Sequence, residues 1–94
     1  MEIEFSPIFR KQYLKVNVRI RNKANDCLRI FKNNPNDLQL NNHALKKEWE
    51  GYRSIDITNN YRAIYEKKKV GEITIAYFVA PGTHKQLYSF KTSN

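Results

Sequence analysis

Ninety-four residues make one short domain, and 17 Lys and Arg against nine Asp and Glu leave it with a formal charge of +8, a balance that favours polyanionic partners over acidic ones. The excess is spread evenly, ten basic and six acidic residues in 1–50 and seven and three in 51–94, which argues against a detachable basic arm. The single Cys27 excludes an intramolecular disulfide and a cysteine zinc cluster. The opening Met1-Glu2-Ile3-Glu4-Phe5 is acidic and lacks the apolar run of a leader, and no apolar stretch is long enough to cross a bilayer. The expectation is a cytoplasmic protein with no membrane contact.

Ile3 and Phe5 alternate with Glu2 and Glu4, predicting a short strand. Ser6-Pro7 reads as an N-cap followed by proline at the first helical position. Phe9, Tyr13, Val16, Ile20, Ala24, Cys27, Leu28 and Phe31 continue at helical spacing. This stripe fits one helix or a hairpin of two, and the β-branched residues around Asn17 favour a break there. Asn34-Pro35 closes the second helix, because the residue before proline avoids the helical region. Residues 36–48 read as a polar loop containing His43. From 52 to 57 the period becomes two, giving a strand, then turn chemistry at 58–60. A second strand runs from Tyr61 to Lys67 and a turn covers 68–71. The apolar run 73–79 is expected as the central strand, stopped by Pro81-Gly82, with Thr83 capping a final helical turn. The predicted fold class is α+β, a helical hairpin packed on one face of a small antiparallel sheet, in the order β-α-α-β-β-β over a single domain, 1–94.

Three residue types stand out chemically. His84 follows Pro-Gly just past a strand, and imidazole moves protons near neutral pH. Arg62 lies in a strand between tyrosines, and guanidinium holds a phosphate and its developing charge. Tyr88 is an aromatic close to His84, able to stack a base or donate a proton. Tyr52, Tyr61, Tyr65 and Tyr77 lie in strands and read more readily as packing residues than as base platforms. Lys67-Lys68-Lys69 reads as a solvated turn, and the basic residues from Arg10 to Lys32 as the outer helix face. Two distant histidines without an acidic cluster predict no metal, and three glycines without a phosphate-cradling loop predict no cofactor.

Five pieces in order, Asn34-Pro35, His43-Ala44-Leu45, Gly51-Tyr52-Arg53-Ser54, Tyr61-Arg62-Ala63-Ile64-Tyr65 and Gly82-Thr83-His84-Lys85-Gln86-Leu87-Tyr88, span nearly the whole chain. Together they resemble the RelE/ParE toxin superfamily of type II toxin–antitoxin systems, nearest in flavour to its RelE/StbE and YafQ-like mRNA interferase branches. The resemblance implies an endoribonuclease that cleaves mRNA on the translating ribosome without a metal. It also implies a cognate antitoxin that holds the toxin inactive, and operator DNA bound only through that antitoxin.

By position, the resemblance makes His84 the terminal catalytic histidine and Tyr88 its aromatic companion. Arg62 becomes the phosphate clamp and His43 a second acid/base group. Asp56 is expected to act as a base or to orient a histidine. RNA contacts, to mRNA or rRNA, are expected at Tyr61, Lys46, Lys47, Arg53 and Lys85. Asp56 and Asn60 stand where YafQ-like toxins have His and Asp, Tyr61 replaces a tryptophan, and Lys46-Lys47 replaces the commoner Lys-Gly. Two other readings therefore stay open at this level: a ParE-type DNA gyrase inhibitor, and a catalytically degenerate member that only binds its antitoxin.

Overall fold

The computed structural model describes residues 1–92, with side chains through Tyr88. The order is β1 (Glu2–Phe5), α1 (Pro7–Leu14), α2 (Val18–Asn33), β2 (His43–Ala44), β3 (Arg53–Asp56), β4 (Tyr61–Val70), β5 (Ile73–Thr83) and α3 (His84–Thr92), with 3-10 turns at Leu38–Leu40 and Lys47–Trp49. The α+β class and the helical hairpin are as expected. Ser6 caps α1 and Pro7 begins it, and Asn17 separates the helices by accepting from Arg19 N at 2.7 Å. Asn34 is extended ahead of Pro35, with φ −153 and ψ 95.

The strands form one sheet in the order β1-β5-β4-β3-β2. It is mixed where an antiparallel sheet was expected, because β1 runs parallel to β5 while the other neighbours are antiparallel. Alternation reveals a strand but not its direction. β4 occupies the middle, and β5 lies between β4 and β1. β4 extends to Val70, beyond the expected turn at Lys68, and Gly71 with φ 63 opens a two-residue connection to Ile73, suited to a type II′ hairpin. His43 lies in a short strand instead of a loop, recruited by pairing with Ser54.

Alternation divides the sheet into two packed faces. Ile55, Ile57, Tyr61, Ala63, Tyr65, Ala76 and Phe78 face α1 and α2, where they join Phe9, Ala24, Cys27 and Phe31. Phe78, fully buried, lies 5.0 Å from the Tyr65 ring and 5.4 Å from the Phe31 ring. On the other face Ile64 packs with Trp49 and Leu87, supported by Leu45, Tyr52, Val79, Ala80 and Tyr88.

Pro81-Gly82 does not stop β5, which runs through both residues to Thr83. β1 pairs with β5 only as far as Phe78, so Pro81 sits where one flank of the strand is open and a missing N–H is tolerated. The ladder jumps from Tyr65↔Phe78 to Ile64↔Ala80, leaving Val79 as an extra residue. This bulge shifts the phase of β5, so that Gly82 pairs with Arg62 on the face away from α1 and α2.

Buried Ser6 fastens the bulge to α1. Its backbone N–H donates to Phe78 O at 2.9 Å, its Oγ donates to Val79 O at 3.2 Å, and the same Oγ accepts from Phe9 N at 2.9 Å. Ser6→Ala removes the cap and the bulge contact together and is expected to cost about 1–2 kcal/mol, read as a lower urea midpoint with an unchanged slope.

Burial also sets an alkaline limit. Desolvation raises the Tyr61, Tyr13 and Cys27 pKa values, with neighbouring charges secondary. Tyr52 is raised first by its hydrogen bond with Glu66 and then by desolvation. An acid whose folded pKa is raised binds its proton more tightly in the native state. That stability is complete below the unfolded pKa values and is lost as pH climbs through the folded ones. The melting temperature is therefore expected to begin falling above roughly pH 9, where an unfolded cysteine ionises, and to fall further above roughly pH 10 with the tyrosines, this second part less in Tyr61→Phe than in the parent chain.

Candidate active site

Arg62 comes from the start of β4, its second residue, and His84 is the first residue of α3. The bulge and the capping of α3 bring them to one place. Thr83 Oγ1 accepts from Gln86 N at 3.1 Å, and Gln86 Oε1 accepts from Thr83 N at 2.9 Å. This reciprocal capping box fixes where the helix begins. α3 is thus more than the single turn expected. A Cβ on Gly82 would lie 3.2 Å from Gln86 Oε1 and 3.4 Å from Leu87 Cγ, so glycine lets the helix fold tightly back over the strand end.

Asn59, Asn60, Arg62, Thr83, His84 and Lys85 line a groove of about 370 Å³ at this corner. The Asn pair comes from the β3–β4 connection, in which Thr58 Oγ1 accepts from the Asn60 and Tyr61 N–H groups at 3.3 and 3.0 Å. His84 is exposed, and its ring lies 4.4 Å from the Tyr88 ring one helical turn later, tilted by 31°. Tyr88 is half-buried against the Trp49 cluster and so backs the imidazole.

Arg62 is held from beside it. Asp56, its cross-strand partner on β3, places Oδ1 3.6 Å from Arg62 Nε, with each side chain a little over a quarter exposed. The other carboxylate oxygen accepts from Asn41 Nδ2 at 3.1 Å. His43 lies on the same sheet face, opposite Ser54, with Nδ1 2.7 Å from Asn41 O. His43 and Asp56 both lie to one side of Arg62, on β2 and β3, and are not among the groove-lining residues.

Two expected RNA-binding residues do not join this groove. Tyr61 is 8% exposed and belongs to the core under α1 and α2, because it neighbours Arg62 in the strand and must point the other way. Arg53 pairs with Tyr65 across the ladder on that same helix-covered face, and its Nε donates to Asn42 Oδ1 at 3.0 Å. Asn42 in turn shares hydrogen bonds of 2.8 and 3.0 Å with Tyr65 OH, so Arg53 belongs to a structural polar network. Lys46 and Lys47 are exposed at the second 3-10 turn, outside the groove lining, while Lys85 is exposed within it. The sequence reading missed Asn41 and the groove walls Asn59 and Thr83. The Asn-Asn pairs flanking two strands were the available signal, since asparagine favours turns and left-handed backbone.

Among the described residues no group of three or more His, Cys, Asp or Glu comes together as a metal would require, and no helix is long and apolar enough to cross a membrane.

Neither protein-family models nor curated protein sequences give a match to this chain. Solved structures do. YafQ from Escherichia coli superimposes with a TM-score of 0.72 at 25% identity, over 93% of this chain and 97% of YafQ. A YoeB/ParE toxin from Agrobacterium tumefaciens gives 0.71 at 23% identity, over 89% and 99%. The toxin–antitoxin complex RelBE2 from Mycobacterium tuberculosis gives 0.69 at 19%, over 88% and 96%. With this element order, sheet topology and set of structural neighbours, the chain has the fold of the RelE/ParE-like toxin superfamily, YafQ-like toxins included.

Proposed function

We propose that this chain is the toxin of a toxin–antitoxin pair and an endoribonuclease that cuts mRNA, on the translating ribosome, by acid–base catalysis. The observation that carries the reading is the groove shared by Arg62 and His84 on a fold whose solved neighbours are toxins. Cleaving RNA this way requires three services. The ribose 2′-hydroxyl loses its proton as its oxygen attacks the adjacent phosphorus. The 5′-oxygen gains a proton as its bond to phosphorus breaks. The crowded phosphate, richer in negative charge at the transition state, needs donors aimed at it.

Arg62 suits the last service. Asp56 faces its Nε, which leaves the terminal N–H groups of the guanidinium for a phosphate. Lys85 and the first turn of α3 add positive potential at the same corner. His84 supplies a proton donor or acceptor backed by Tyr88. His43, on the same sheet face, is the second acid/base group. Such a sparse site works best where another body holds the RNA in line, and orientation alone is able to supply a large part of a rate enhancement.

A protein partner follows from the same reading. The solved neighbours include the toxin–antitoxin complex RelBE2 and the DinJ–YafQ complex. A chain of charge +8 suits an acidic or amphipathic antitoxin segment that orders on binding.

The test is mapping of a reporter mRNA by primer extension after induction of the chain. Cuts inside the translated region, absent from an untranslated copy, are expected. Growth arrest with intact mRNA and damaged DNA replaces nuclease activity by gyrase binding, and harmless expression replaces it by antitoxin binding alone.

A further inference from the structure

Asn41 ends the first 3-10 turn in the left-handed region, with φ 47 and ψ 48. Asparagine tolerates this backbone better than other residues with a Cβ. The twist sends its two polar arms to different partners. Its carbonyl oxygen lies 2.7 Å from His43 Nδ1. Its amide Nδ2 donates to Asp56 Oδ2 at 3.1 Å. Asp56 Oδ1 then faces Arg62 Nε at 3.6 Å, and both of those atoms are shut away from solvent without a hydrogen-bond partner of their own. One residue outside the groove therefore touches His43 directly and Arg62 through Asp56, two residues that the nuclease reading needs.

The carbonyl contact fixes a chemical state. A carbonyl oxygen only accepts, so the hydrogen in this contact sits on His43 Nδ1. The neutral ring is then the Nδ1–H tautomer, and its Nε2 carries a bare lone pair. An unconstrained histidine prefers the opposite arrangement. The amide contact fixes an orientation. With Oδ2 tied to Asn41, Asp56 presents Oδ1 to Arg62 Nε and turns the terminal N–H groups of the guanidinium away from itself.

We propose that Asn41 is a positioning residue with two arms: its carbonyl makes His43 a proton acceptor at Nε2, and its amide holds Asp56 against Arg62. The proposal rests on the nuclease reading for its chemistry. There His43 Nε2 takes the 2′-hydroxyl proton as that oxygen bonds to phosphorus. The bond from phosphorus to the 5′-oxygen breaks, and protonated His84 delivers the proton to the leaving oxygen. The geometry itself is read without any substrate.

Long-range ¹⁵N–¹H NMR of the wild-type chain, well above the ordinary histidine pKa, reads the tautomer directly, and the Nδ1–H pattern at His43 is expected. Asn41→Gly keeps the carbonyl and accepts the left-handed backbone but lacks the amide. It is expected to retain the His43 pattern while the Arg62 Nε–H exchanges with water about tenfold faster, the scale of one lost charge-assisted hydrogen bond. Asn41→Asp sets a carboxylate against Asp56 and is expected to speed that exchange further, with the His43 pattern again retained. An Nε2–H pattern in the wild type overturns the proposal whatever the activity, as does unchanged Arg62 exchange in both variants. A wild-type chain that cuts no RNA yet shows the expected NMR behaviour removes the nuclease reading and leaves the two arms of Asn41 standing.

Discussion

Arg62→Ala is expected to lower RNA cleavage about 10²–10³-fold, and His84→Ala about 10²–10⁴-fold. The two losses have different origins. Arg62 faces a charge that grows as the reaction proceeds, so its removal lowers kcat and kcat/KM together. Its Nε is also the cation opposite the buried Asp56 Oδ1, so alanine leaves that oxygen uncompensated and lowers stability as well. Arg62→Lys separates the effects. It keeps a positive charge opposite Asp56 but loses the planar fork that faces Asp56 with Nε and a phosphate with its terminal N–H groups, so cleavage is expected to stay at least tenfold down while the fold is largely spared. His84 is exposed at the start of α3, and its truncation is expected to leave the melting temperature nearly unchanged. Because both residues serve one reaction step, the double variant should lose far less than the product of the single losses. The measurement is primer extension on a translated reporter beside urea unfolding of each variant. Cleavage at the parental rate by both single variants would falsify the assignment of the groove.

Much of this corner was legible from residue order alone. The Ser-Pro start, the Asn-Pro stop and the change to period-two alternation are local signals, and each led to the right element. Alternation also carried information that the site reading left unused. Once Arg62 is placed on one face of β4, Tyr61 belongs on the other, whatever its aromatic character suggests. The same parity separates Arg53 from Asp56 on β3.

What stayed hidden depends on tertiary pairing. β2 is two residues long and has no hydrophobic pattern, so only its register with Arg53 and Ser54 makes it a strand. The bulge at Val79 lies in a continuous apolar run, where no alternation exists to be broken. Pro81 reads locally as a terminator, and becomes tolerable only because β1 has already ended its pairing at Phe78. These non-local facts bring Gly82 opposite Arg62 and start α3 at the groove. The residues of the site were visible before the reason they meet.

Phe78→Ala is expected to be the most damaging single core change in this group of elements, lowering stability by about 3–5 kcal/mol. A domain of this length holds roughly 5–14 kcal/mol in total, so the loss takes a large share of it. Phe78 is fully buried, and its ring has Phe5, Phe9, Phe31 and Tyr65 within 5.0 to 5.9 Å between centroids. Truncation leaves a void bordered by rigid rings on several sides, which collapse poorly into it. The backbone of Phe78 is unaffected, and its carbonyl still accepts from Ser6 N immediately before the bulge. The groove should therefore survive in molecules that remain folded, with cleavage per folded molecule near the parental value. Trp49, the single tryptophan, is buried on the opposite face of the sheet, so its fluorescence reports whether both faces unfold together. A urea midpoint lower by about 1–3 M with an unchanged slope is the expected result. A midpoint within a few tenths molar of the parent would mean that the aromatic cluster is not what holds α1 and α2 to the sheet.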